Sequence, residues 1–156
     1  MKPRVAAYCF DTSVFVDPWR RYFPKATFPS LWERMAALLR SGAVLASESV
    51  YADIKRKPDD LHAWVKEHAL GIFRADDEAV QREMKKILRI HPKLVSLSHG
   101  HSDPFVIAHA VLTGTTVVTQ ERHRSLVKPK IPDVCRALGV PCIAPLDLMA
   151  AEHWSF

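Results

Sequence analysis

The chain has 156 residues, 48% of them hydrophobic and 25% charged, an ordinary globular composition that excludes intrinsic disorder, collagen-like repeats and a disulfide scaffold. A length of this order suits a single domain over 1–156, able to bury roughly 70% of the surface its unfolded chain exposes. Its 22 Lys and Arg against 17 Asp and Glu give a net charge of +5, which favours polyanionic partners.

The continuously apolar run at 5–10 predicts a first strand buried on both faces, with Asp11 at its carboxyl end. Between it and the next element lies an unusually aromatic stretch, 17–28, containing Trp19, Tyr22 and Phe23. It suits packing either on a partner or on the chain's own helices. Leu31, Trp32, Met35, Leu38 and Leu39 recur at helical spacing over 29–41, and Gly42 ends that pattern before a second strand at 43–46. A helix starts at Ser47-Glu48-Ser49 with Val50, Tyr51 and Ile54 as its apolar stripe. Pro58 and Asp59 end it and open another, carrying Leu61, Trp64 and Val65. Gly71-Ile72-Phe73 reads as a very short strand. A polar helix follows from about 76 to 89, and Pro92 stops it. Asp103-Pro104 opens a helix whose buried side is assigned to Phe105, Ile107, Ala108, Val111 and Leu112. Strands at 115–119 and 142–143 and a helix at 134–138 complete the series.

Strand and helix alternate, which predicts an α/β domain with a mostly parallel sheet whose functional groups gather at the carboxyl edge of the strands. Gly42, Gly71, Gly100, Gly114 and Gly139 cannot be arranged as G-x-G-x-x-G or as a P-loop, so those phosphate-binding loops are excluded. Cys9, Cys135 and Cys142 form no C-x-x-C pair and leave an odd thiol, which fits a reducing cytoplasm. The six-residue apolar run before Asp11 is too short for a secretory leader or a membrane span. The expectation is a soluble cytoplasmic protein.

Asp11 follows the first strand, Asp103 starts a helix and Glu121 lies just past the strand ending at Thr119, so acids remote in sequence are placed toward one edge. Asp53, in the helix after the second strand, is a fourth. Each has a plain structural role open to it: a turn for Asp11, a helix cap for Asp103, a solvated surface for Asp53 and Glu121. Their joint placement favours a site. Clustered carboxylates repel unless a cation sits among them, and hard oxygen donors suit Mg²⁺ or Mn²⁺. Lys55-Arg56-Lys57, Arg122-His123-Arg124, Lys128 and Lys130 flank these acids and suit phosphate neutralisation, whereas Lys85-Lys86 reads as a solvated helix face. Trp19, Trp32, Trp64 and Trp154 read as core more than as stacking platforms.

Four segments resemble the PIN-domain nucleases, a family that includes VapC-like toxins of bacterial toxin–antitoxin pairs. They are Phe10-Asp11-Thr12-Ser13, Ser49-Val50-Tyr51-Ala52-Asp53-Ile54, Asp103-Pro104-Phe105-Val106-Ile107-Ala108-His109-Ala110 and Val117-Val118-Thr119-Gln120-Glu121. The resemblance implies a three-layer α/β/α fold with a five-stranded sheet in the order 3-2-1-4-5. It also implies metal-dependent endoribonuclease activity leaving a 3′-hydroxyl and a 5′-phosphate, RNA as substrate, an antitoxin partner and a homodimer. Asp11, Asp53, Asp103 and Glu121 are then the catalytic acids. Asp11, Asp103 and Glu121 are the ligands for Mg²⁺ or Mn²⁺, and Ser13 and Thr119 orient them. The family more often has Glu at the position of Asp53 and Asp at that of Glu121, and Glu48 is an alternative to Asp53. Two rival readings remain: a PIN-like module that binds RNA or protein without cutting, and a zinc hydrolase using His99 and His101 of the His-x-His-x-Asp run ending at Asp103.

Overall fold

In the computed structural model, which describes residues 2–94 and 101–156, the first apolar run pairs only over its second half. β1 spans Tyr8–Phe10 rather than 5–10, and Val5 is 87% exposed. The reason lies in the neighbouring strand. β2 (Val44–Ser47) has Val44 in register with Tyr8, so residues upstream of Tyr8 face the turn at Ser41 and Gly42 instead of a strand.

The remaining strands are β3 (Phe73–Arg74), β4 (Thr116–Val118) and β5 (Cys142–Ile143). They form one five-stranded sheet in the order β3-β2-β1-β4-β5, the order that the family resemblance implies, and every pairing is parallel. The proposed strand at 71–73 is instead a 3-10 turn, Leu70–Ile72, leading into the two residues of β3. Helices flank the sheet: α1 (Ser13–Asp17), α2 (Pro29–Arg40), α3 (Glu48–Lys55), α4 (Asp60–His68), α5 (Glu78–Ile90), α6 (Asp103–Thr113), α7 (Ile131–Leu138) and α8 (Pro145–Ala151). Side-chain caps start several of them. Ser47 accepts the amide of Ser49 at the head of α3, Asp59 that of His62 in α4, and Asp77 that of Val80 in α5. Because the chain builds strands 1, 2 and 3 outward in one direction and then returns to the other side of β1, the order reverses between β1 and β4. In open parallel sheets that is where a crevice forms at the carboxyl edge.

The strands are continuously apolar because both faces are covered. Cys9, Phe10, Val44, Leu45, Ala46, Val117 and Val118 are at most 2% exposed. The aromatic stretch after α1 packs on the chain's own helices. Pro18–Tyr22 forms a π-helical turn, and Trp19 meets Trp32 of α2 and Trp64 of α4 with ring centroids 4.8 and 5.7 Å away. The Trp32 indole donates to the Phe23 carbonyl at 2.7 Å.

One buried face differs from expectation. Val111 and Leu112 are exposed, whereas Val106, His109 and Ala110 are buried. α6 is apolar on nearly all sides, so its periodicity does not fix its rotation. The other helices it packs against, α5 and α7, set it.

Gly42 joins α2 to β2 with φ +93°, and a Cβ placed there would lie 2.7 Å from the Arg4 carbonyl oxygen. Gly71 has open space around it. Gly42→Ala should therefore lower the unfolding free energy by about 1–3 kcal/mol, while Gly71→Ala changes it by less than about 1 kcal/mol. Urea denaturation of the two variants checks the contrast.

Candidate active site

Register brings the first elements of the site together. Phe10 pairs with Val118, so the next residues on these strands, Asp11 and Thr119, lie side by side. The Asp11 amide donates to the Val118 carbonyl at 3.0 Å. Asp11 is 3% exposed, and its Oδ2 accepts hydrogen bonds from Thr119 Oγ1 at 2.9 Å and Ser13 Oγ at 2.6 Å. Ser13 Oγ in turn accepts the Gln120 amide, and Thr119 Oγ1 accepts the Glu121 amide. The two hydroxyls thus tie the end of β1 to the loop after β4.

Asp11, Asp53, Asp103 and Glu121 all line one cavity of ≈ 310 Å³ at this edge. Asp103 is buried at the first position of α6, one residue inside the cap, which is Ser102. Glu121 is oriented by the Ile131 amide, which donates to its Oε2 at 3.0 Å from the head of α7. Asp53 sits in the last turn of α3, with Thr12 Oγ1 donating to its Oδ2 at 2.9 Å and the Arg56 guanidinium paired with its Oδ1. Glu48, the alternative to Asp53, points elsewhere: its Oε1 accepts the Asp76 amide at 3.0 Å. His101 lines the cavity, and His99 lies outside the described residues.

Sequence reasoning missed other members. Asp17, at the end of α1, lines the cavity, and only the phase of its helix could have revealed it, whereas Arg56, which also lines it, comes from the basic run that the sequence places beside the acids. Asp76, just after β3, forms a separate buried cluster. His109 Nε2 lies 2.8 Å from its Oδ1, Ser47 Oγ donates to the same oxygen at 2.7 Å, and Ser49 Oγ donates to Oδ2. Burial opposes ionisation of Asp76, yet the bonds from His109, Ser49 and Ser47 together hold its carboxyl below the ordinary value. Asp133 is structural: it accepts the Arg124 and Lys130 amides at 2.8–3.0 Å and pins the loop between β4 and α7.

The donor set around the cavity is hard carboxylate oxygen, which suits Mg²⁺ or Mn²⁺ and not a thiolate metal. Among the described residues no three His, Cys, Asp or Glu side chains form a ready-made cage.

The fold is that of the PIN-domain proteins. FitAcB from Neisseria gonorrhoeae superimposes with a TM-score of 0.57 over 89% of this chain and 98% of its own, at 17% identity. VapBC2 from Rickettsia felis, bound to a DNA fragment from their promoter, gives 0.57 over 88% and 98%, at 11% identity. FitAB bound to an IR36 DNA fragment gives 0.56 over 88% and 94%, at 17% identity. No curated protein sequence matches the chain. The chain belongs to the family described as a domain of unknown function, DUF4411, which it matches over residues 8–156. Among the described residues no helix is long and apolar enough to cross a membrane.

Crowding of the acids shows in their proton affinities. Burial, then the charges of Asp11 and Glu121, push the Asp103 carboxyl from 3.8 up to about 9, with Lys130 opposing. Burial and then Asp11 raise Glu121, against the Ile131 amide and Lys130. Burial also raises Asp11, against the hydrogen bonds from Ser13 and Thr119. An acid whose folded pKa exceeds its unfolded one binds more protons when folded, so its contribution to stability falls as pH rises between the two values. With a chelator present, the unfolding free energy should decline as pH rises from about 4 toward about 9. Asp103→Asn should flatten that decline, as denaturation at several pH values will show.

Proposed function

We propose that the chain is a divalent-metal-dependent endoribonuclease and the toxin of a toxin–antitoxin pair. The observation that carries this reading is the arrival of Asp11, Asp53, Asp103 and Glu121 at one cavity on the carboxyl edge of a PIN-like sheet. The likeness to FitAcB and VapBC2 supports the toxin assignment and a protein antitoxin as partner. Asp11, Asp103 and Glu121 are the residues assigned to hold Mg²⁺ or Mn²⁺, and Asp53 completes the acidic ring. When bound, such an ion supplies a water of lowered pKa and neutralises charge on the phosphoryl group.

The chain's own residues have defined tasks in this reading. Ser13 and Thr119 fix the rotamer of Asp11 by donating to the same oxygen, Oδ2. Lys130 lowers the proton affinity of Asp103 and Glu121 and so favours their ionised, ligating forms. Exposed Arg122, Arg124 and Lys128 lie in the loop that follows Glu121, where they meet the phosphates of a bound strand.

Incubation with single-stranded RNA and Mn²⁺ or Mg²⁺ tests the assignment. Cleavage should occur, stop with a chelator, and fall by at least about 100-fold in Asp11→Asn. Ser13→Ala should lose about 10–100-fold, as expected for a residue that orients a ligand. Wild-type rates in a folded Asp11→Asn variant would remove the proposal.

A further inference from the structure

Of the basic run Lys55-Arg56-Lys57, only Arg56 lines the acidic cavity; the Lys55 ammonium lies over the Tyr51 ring, 5.7 Å from its centroid. Among the described residues Arg56 is also the sole Lys or Arg side chain in that lining. It follows directly on α3 as the cap residue, one turn after Asp53. An ion pair at this spacing on an open helix surface contributes little. Here the acid is fixed. Thr12, from the turn that also carries Asp11, donates to Asp53 Oδ2, which leaves Oδ1 to engage Arg56. Asp53 is 18% exposed at its side chain and Arg56 69%. Both Asp53 oxygens are thus occupied by protein groups. The guanidinium, with five N–H donors in a rigid fork, has only part of them spent on Asp53.

We propose that Arg56 contacts a phosphodiester oxygen of a single-stranded RNA backbone, and that Asp53 is a positioning residue that aims it. The physical need is plain: a strand entering a cavity lined by acids meets repulsion, and one guanidinium held inside the lining gives its phosphate a bidentate foothold. This assignment rests on the nuclease reading, but its test does not depend on cleavage.

The experiment measures binding of a labelled single-stranded oligoribonucleotide to the chelated protein by fluorescence anisotropy over a salt series. Cleavage of the same RNA with Mn²⁺ is followed in parallel. Arg56→Gln should weaken binding about tenfold and reduce the slope of log affinity against log salt by about 0.7, the value for one phosphate contact on a single strand. Arg56→Lys should keep the slope. Asp53→Asn should also weaken binding, and the double variant should bind no worse than Arg56→Gln alone, because the two act as a unit. Wild-type affinity and slope in Arg56→Gln would overturn the proposal. So would absence of RNA binding by the chelated wild type, or tighter binding by Asp53→Asn, the mark of an acid that merely repels phosphate. A wild type that binds RNA but never cuts it sinks the nuclease reading and leaves this assignment to the binding data. A nuclease indifferent to Arg56→Gln does the reverse.

Discussion

Like charges brought into a buried space are the constraint around which this protein is organised. Three carboxyls, those of Asp11, Asp103 and Glu121, are raised in proton affinity by burial, and those of Asp103 and Glu121 also by neighbouring carboxylates. A fold does not retain such a group of acids for stability, since each is more cheaply replaced by an apolar residue. The chain manages the repulsion locally, with hydroxyls of Ser13, Thr119 and Thr12, the Ile131 amide and the Arg56 and Lys130 cations. The parallel sheet makes this arrangement possible because every strand delivers its next residue to the same edge.

Rigidity behind that edge comes from packing. The turn holding Asp11 and Thr12 lies between β1 and α1, and Phe10 and Phe15, one from each, meet at 5.7 Å and are almost wholly buried. α1 runs straight into the π-helical turn whose Trp19 locks against Trp32 and Trp64. A side chain at the site is therefore connected through two short elements to the cluster of Trp19, Trp32 and Trp64. The hydrogen bonds at Asp11 need this backing, since a hydroxyl that moved freely would orient nothing.

Much of this was legible in the residues. Asp11, Asp103 and Glu121 stand at strand ends or a helix start, positions fixed by punctuation such as Pro104, Gly114 and the apolar runs, and the sheet order followed from the family resemblance. What the sequence hid depended on rotation about helix axes. Asp17 reaches the cavity through helix phase, and α6, apolar on nearly every side, gave no phase at all. Hence Val111 and Leu112 were assigned inward, while the inward polar residue is His109. The strand expected from Val5 was shortened by its partner, a pairing constraint that no local pattern carries. α8, only seven residues long and opened by Pro145, has no long periodic stripe to announce it.

The Asp76–His109 bond lies away from the acidic cavity, yet His109 is on the same helix as Asp103, less than two turns further along. Ser47 and Ser49 hold the other side of that bond at the junction of β2 and α3, the helix that ends in Asp53 and Arg56. One buried clasp thus links two elements that both contribute residues to the pocket. In a genetic screen scored by lost activity alone, lesions at Asp76 or His109 would masquerade as hits in the chemistry, although neither side chain lines the pocket.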